Sequence, residues 1–393
     1  MIKLVGGTFY KEKATKAKLL RFIDKAKTLS FGDESKKFEK AFAKWQGRKE
    51  AVFVNSGSSA NLALIQALLN LGRLKKGDKI AFSTVTWSTN VMPIMTLGLV
   101  PIPMDVELET LNVSSQEVER VIKKHKVKAV FVTNLLGFSH DLTKIRSLCK
   151  KYKVILLEDN CESLGSIEKG TRLGNFGLAS TFSFFVGHHM STIEGGMICT
   201  DDRNLADALR VVRAHGWDRH LPKETQTYLR TKHNIDSFYG LYTFYDLGYN
   251  LRPTDINGFL GHTQLPFLPE IIARREKTFD LFAQVFDARP GLFMSLKRNH
   301  MDTLSAFAFP LICTSKVVKD RVIAACAGKI EIRPIVGGNM VLQPFFKKYF
   351  PQAHKMHPSP NATIIHALGL YLPIHPDMTA GEKQTILQTL LSV

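Results

Sequence analysis

Five short apolar runs, Ala51–Val54, Lys79–Ser83, Val100–Met104, Ala129–Val132 and Val154–Leu157, recur through the first half of the chain, separated by amphipathic helical stretches. Strand-length runs alternating with helix-length segments specify a mainly parallel α/β sheet, because parallel neighbours need a crossover long enough to hold a helix. The runs are apolar throughout, as strands covered on both faces require. In such sheets the chemistry belongs to loops at the C-terminal ends of the strands. Ser180–Phe184 and Met197–Thr200 read as two further strands bracketing a loop, and Leu205–Ala214 has helical spacing.

At 393 residues the chain exceeds one ordinary core. The pattern changes at the turn-rich junction Gly248-Tyr249-Asn250-Leu251-Arg252-Pro253. Long helices follow to about residue 285, then strands near 306–312 and 330–333 and a last helix near 380–391. The expectation is a large domain over 1–250 and a smaller α+β domain over 251–393.

Several function classes are disfavoured. The N-terminus has no apolar run of the signal-peptide kind, and no stretch approaches the roughly 20 apolar residues that span a bilayer, so a cytoplasmic protein without membrane contact is expected. Five cysteines without a CxxC or CxC pair argue against a disulfide framework, a cysteine metal site or an iron–sulphur centre. The net charge of +18 draws attention to nucleic acid, but the clusters Lys11/Lys13/Lys16/Lys18 and Lys123/Lys124/Lys126/Lys128 are not interleaved with aromatics. No nucleic-acid partner is expected.

Three segments carry chemistry. Asn55-Ser56-Gly57-Ser58-Ser59-Ala60-Asn61 follows a strand and opens a helical run; such a start presents free N–H groups and hydroxyls to an anion, or is an ordinary serine-capped helix. Leu156-Leu157-Glu158-Asp159-Asn160-Cys161-Glu162 ends a buried strand in acidic residues at a sheet edge. A carboxylate there either keeps a pyridinium nitrogen protonated or caps a helix. The third segment is Ser183-Phe184-Phe185-Val186-Gly187-His188-His189-Met190-Ser191-Thr192-Ile193-Glu194-Gly195-Gly196.

On these residues, with Trp87, Gly248-Tyr249-Asn250 and Arg333-Pro334, the chain resembles the DegT/DnrJ/EryC1/StrS sugar aminotransferases. These are pyridoxal phosphate (PLP) enzymes of the aspartate aminotransferase (PLP type I) fold. The family pattern is Ser-Phe, three residues, a Schiff-base lysine, then Glu-Gly-Gly; the lysine position is His188 here. Glu158–Ser163, His188-His189, Arg213-Ala214-His215-Gly216-Trp217 and Arg333–Val336 are similar to the family's lysine-less branch, 3-dehydratases of GDP-linked 4-keto-6-deoxyhexoses.

The resemblance implies roles. Asp159 would pair with the pyridine nitrogen, Glu162 would lie near the ring hydroxyl, and Trp87 would stack on the ring. Gly57, Ser58 and Ser183 would hold the phosphate, with Asn250 reaching it from the second subunit of a homodimer with shared active sites. His188 would be the catalytic base; His189, Met190 and Thr192 read by themselves as loop packing, with a direct role for His189 as the alternative. His215, Arg219, Arg252 and Arg333 are candidates for the carboxylates of glutamate or the diphosphate of a nucleotide sugar, with ordinary ion pairs as the alternative.

Replacing lysine with histidine redirects the chemistry. Lysine both binds PLP covalently and shuttles a proton; imidazole does only the second. The cofactor, PLP or its amino form pyridoxamine phosphate (PMP), is therefore expected to sit non-covalently, with L-glutamate as amino donor. The implied outcome is loss of the C3 hydroxyl, giving a 4-keto-3,6-dideoxy sugar and ammonia. Phe184–Gly187 and the segment Leu221–Tyr245 depart from the dehydratase pattern, so the nucleotide and the sugar rest on the resemblance alone. An aminotransferase with an unusual base and an inactive PLP- or sugar-nucleotide-binding regulator are the alternatives.

Overall fold

A computed structural model describes residues 1–393 except Ala353, His354 and Met356. Its centre is a seven-stranded sheet of β1 (Glu50–Val54), β2 (Lys79–Ser83), β3 (Val100–Met104), β4 (Ala129–Thr133), β5 (Ile155–Asp159), β6 (Ala179–Ser183) and β7 (Gly196–Thr200), in the order β1-β7-β6-β5-β4-β2-β3. All neighbours are parallel except β7, which runs antiparallel between β1 and β6. Both faces are covered, and the strands are buried almost end to end. β5 is a central strand; its C-terminal end, not its side, lies at the sheet margin.

The reversed β7 has a functional consequence. It begins with Gly196 paired to Val54, at the same margin where β1, β5 and β6 end. That margin then gathers Ser56-Gly57, Asp159, Ser183 and the Glu194-Gly195-Gly196 turn. No side chain fits at Gly196, where a Cβ would collide with the Ser56 carbonyl and lie 2.6 Å from the Gly57 nitrogen.

Helix α1 (Asp33–Gln46) packs against β1 and against α4 (Asp255–Gln264). Phe38 and Phe42 of α1 join Phe53, Phe182 and Phe184 in an aromatic cluster beneath the loop that follows β6. Helices α2 (Gly57–Asn70) and α3 (Arg203–Arg213) pack together and onto β1. Beyond α5 (Leu268–Phe286), a second antiparallel sheet of β8 (Phe309–Ile312), β9 (Arg333–Pro334) and β10 (Gly369–Leu372) has the order β8-β10-β9.

The strand expected at 306–312 starts later, at Phe309, because Ser305–Phe307 are held by side chains instead of a ladder. The strand expected at 330–333 shrinks to Arg333–Pro334, and Ile330 instead forms an isolated bridge with Ile2. Among the described residues, no helix is long and apolar enough to cross a membrane.

Candidate active site

Strand order and the reversed β7 build a cavity of about 580 Å³ at the C-terminal margin of the sheet. Gly57, Ser58, Trp87, Asp159, Glu162, Ser183, His188 and Arg333 all line it.

At one part of this cavity α2 begins. The Ser56 hydroxyl caps the Ser59 amide at 3.0 Å, and the Ala60 amide bonds to the Ser56 carbonyl. The Gly57 and Ser58 amides ahead of them find no backbone partner among the described residues, so the helix start can receive an anion. A Cβ on Gly57 would lie 2.7 Å from that of Ser183 and 3.1 Å from the Cys161 sulfur. The glycine thus keeps open a cradle between helix start and Ser183.

At the end of β5, Asp159 is buried and its carboxylate accepts three hydrogen bonds, from Asn61 Nδ2 (2.9 Å), Asn90 Nδ2 (2.7 Å) and the Cys161 amide (2.9 Å). Its neighbour Glu158 points the other way. Fully buried, it accepts amide bonds from Gly174, Phe176 and Gly177 and serves the fold, with burial raising its pKa. Glu162 accepts from the Leu136 amide; burial, reinforced by Asp159, pushes its carboxyl up to about 8. Trp87 lines the cavity with more than half its surface exposed (55%), a flat apolar ring available for stacking.

His188 sits on the loop after β6. Phe184 bonds through its amide to the Gly195 carbonyl and through its carbonyl to the Thr192 amide, and Asn257 donates to the Thr192 and Glu194 carbonyls. Together with a bond from the His188 amide to the Phe185 carbonyl, these hold the loop without using the side chain at 188. The imidazole stands edge-on to Phe307 with ring centroids 5.2 Å apart, and its buried Nδ1 has no partner among the described residues. Burial lowers its pKa to about 4; the Cys161 backbone and Asp159 oppose this, and Arg275 adds to it. At neutral pH His188 is an uncharged base.

His189, Met190 and Thr192 are buried. His189 Nε2 lies 2.9 Å from the Ser305 carbonyl and therefore donates to it, and the Thr192 hydroxyl donates to the Glu194 carbonyl. They pack the loop.

Asn250, His215, Arg219 and Arg252 do not line this cavity in the single chain. They gather elsewhere: Ala214 bridges Asn250, the His215 amide bonds to the Tyr249 carbonyl, Arg252 Nε donates to Asn250 Oδ1 at 3.0 Å, and the Arg219 guanidinium lies 5.1 Å from the Trp217 ring centroid. Arg333 reaches the cavity and is paired to Glu331.

Sequence reasoning missed Asn61, Asn90, Phe307 and Tyr371. Asn61 was the accessible one, since it lies one helical turn after Gly57 and so shares its face.

A helix start with serine hydroxyls, a carboxylate at a strand end and an open indole face are what a phosphorylated pyridine needs, so the residues fit PLP. The chain belongs to the DegT/DnrJ/EryC1/StrS aminotransferase family, whose model matches residues 10–391. It is 35% identical to the GDP-4-keto-6-deoxy-D-mannose 3-dehydratase of Escherichia coli O55:H7 over 91% of this chain and 92% of that one. A solved GDP-4-keto-6-deoxymannose 3-dehydratase with bound GDP-perosamine superposes with a TM-score of 0.88 at 32% identity, covering 99% of this chain and 100% of that one. The E. coli enzyme with bound hydrated PLP has the same TM-score and identity, with 99% of each chain covered.

Proposed function

We propose that this chain is a PLP/PMP- and L-glutamate-dependent 3-dehydratase of a nucleotide-linked 4-keto-6-deoxyhexose, with GDP-4-keto-6-deoxymannose as the substrate. The observation that carries the reading is the neutral, loop-held His188 facing a cavity that otherwise has the fittings for PLP. Bound there, PLP supplies an electron-accepting ring that stabilises negative charge at carbons conjugated with it.

The protein's part is positioning and proton transfer. Asp159, held by Asn61 and Asn90, offers a fixed carboxylate to the pyridine nitrogen. Gly57, Ser58 and Ser183 would take the phosphate, Trp87 would cover the ring, and Glu162 would lie by the ring hydroxyl. His188 accepts a proton at the cofactor's C4′ carbon as a free base. An imidazole at 188 would not hold the cofactor covalently, so nitrogen brought to the sugar would not be retained and would be displaced by water as ammonia.

The reading includes a homodimer. Phe238, Tyr239, Tyr242 and Phe244 are 58–75% exposed and lie in the segment leading to Asn250, an apolar surface suited to a second copy. Asn250, His215, Arg219 and Arg252 would then complete the partner's cavity, binding cofactor phosphate, glutamate carboxylates or sugar diphosphate.

Incubation of the PLP-loaded protein with glutamate and GDP-4-keto-6-deoxymannose tests this directly. The expected products are 2-oxoglutarate, ammonia and a GDP-4-keto-3,6-dideoxy sugar. An aminated sugar nucleotide would overturn the reading in favour of an aminotransferase.

A further inference from the structure

Tyr371 lies in the middle strand of the C-terminal sheet, register-paired with Pro310 on one side and Arg333 on the other, so its backbone is fixed from both edges. Its ring stands edge-on to Phe307, with centroids 5.9 Å apart and planes at 73°. Phe307 in turn stands edge-on to His188. That intermediate ring is well anchored: Arg275 donates to the Phe307 carbonyl at 2.7 Å, and His189 holds the neighbouring Ser305 carbonyl.

Tyr371 lines the same cavity as Asp159, Glu162 and His188, yet its hydroxyl makes no hydrogen bond among the described residues. The charged groups around it are already engaged. Asp159 has three donors, Glu162 has the Leu136 amide, and Arg333 has Glu331. A half-buried phenol held rigidly in a reaction cavity, with its hydrogen-bonding capacity unused, is built to meet a ligand.

We propose that Tyr371 determines specificity for the hexose by donating a hydrogen bond to the hydroxyl on C3, the carbon that loses oxygen. The proposal rests on the sugar-nucleotide reading above and names a contact within it. Tyr371 and His188 stand edge-on to the same ring, Phe307, and both line the one cavity, so phenol and base face a shared ligand space. No proton changes hands. Burial, reinforced by Glu162 and Glu331 against Arg333, holds the phenol well above its ordinary range, so it remains a neutral donor. A site that hydrogen-bonds a substrate hydroxyl rejects the analogue lacking it, because its own polar group is then left unpaired.

The test is calorimetric binding to PLP-loaded protein without glutamate, so that nothing turns over, using GDP-mannose and GDP-3-deoxymannose as probes. Wild type is expected to bind the hydroxyl-bearing sugar about tenfold tighter. Tyr371→Phe keeps the ring against Phe307 and removes only the hydroxyl. It should bind the two sugars without the wild-type preference for the hydroxyl-bearing one, a loss of discrimination that a merely structural role would not produce. Retained discrimination in Tyr371→Phe overturns the proposal, as does its absence in wild type, a measurement that needs no variant. If wild type binds neither sugar while its glutamate half-reaction runs, the sugar-nucleotide reading itself fails and takes this proposal with it.

Discussion

Lowering the pH from 7.5 to 5.5 should leave the base at residue 188 almost wholly unprotonated. An exposed imidazole with a pKa of about 6.5 would be only about 9% free base at pH 5.5. His188, lowered to about 4, is about 97% free base there, a tenfold difference in competent enzyme. The sign follows from the surroundings: burial and Arg275 both penalise the imidazolium, and the Cys161 backbone and Asp159 only partly compensate. Carbon-13 NMR of protein labelled at histidine Cε1 reports the titration, with the His188 signal assigned by its loss in His188→Asn. A midpoint near 4 is expected in cofactor-free protein. A midpoint above 6 would refute the reasoning, because burial would then not govern this imidazole. The same depression makes acid destabilising: an unfolded histidine takes up a proton below about pH 6.5 that the folded one refuses, so stability present above that pH is lost as pH falls toward 4.

Three further outcomes are expected. Gly196→Ala would drive β7 against the Ser56-Gly57 backbone, so PLP affinity should fall by at least tenfold in a fluorescence titration, more than Gly381→Ala, where a Cβ meets nothing. Arg213→Met strands the Glu39 carboxylate beside a buried site and should cost about 3–5 kcal/mol in denaturant unfolding, most of it recovered by adding Glu39→Gln. Finally, mixing and reassociating His188→Asn and Asn250→Ala should restore about a quarter of wild-type activity, because half the dimers would be hybrids with one intact site each. No recovery would refute the shared site.

The expected β2 and β3 boundaries, Lys79–Ser83 and Val100–Met104, coincide with the observed strands because an apolar run between polar flanks marks a strand buried on both faces. The same rule misplaces residues 306–308. Ala306 and Phe307 are apolar, but their carbonyls are taken by Arg275, a long-range contact with no local trace. The cavity was legible wherever a motif is local, as with Gly57-Ser58, Asp159–Glu162 and Ser183–His188. It was illegible where contacts are tertiary: Asn90 reaches Asp159 from the short helical turn Ser88–Asn90 beyond β2, and Tyr371 meets the site only because the C-terminal sheet folds over it. His215, Arg219 and Arg252 were readable as functional candidates, but their separation from the cavity is a matter of surface geometry that no spacing rule reveals.

The loop carrying His188 makes one substitution decisive. Its shape depends on the Phe184–Gly195 and Phe184–Thr192 backbone bonds, on Asn257, and on His189 anchored at Ser305, none of which involves the side chain at 188. The imidazole borders open cavity, so a longer, unbranched side chain has space to extend. His188→Lys should therefore fold as wild type and restore what the family's lysine does, a covalent link to PLP seen as a new absorption band that borohydride makes permanent. Dehydration should fall by a factor of at least about 100, the lower end of what a positioned acid–base group supplies. The two readouts separate geometry from chemistry. A covalent link with dehydration intact would show that His188 is not the base, whereas no link in a well-folded protein would show that the loop does not aim residue 188 at the cofactor.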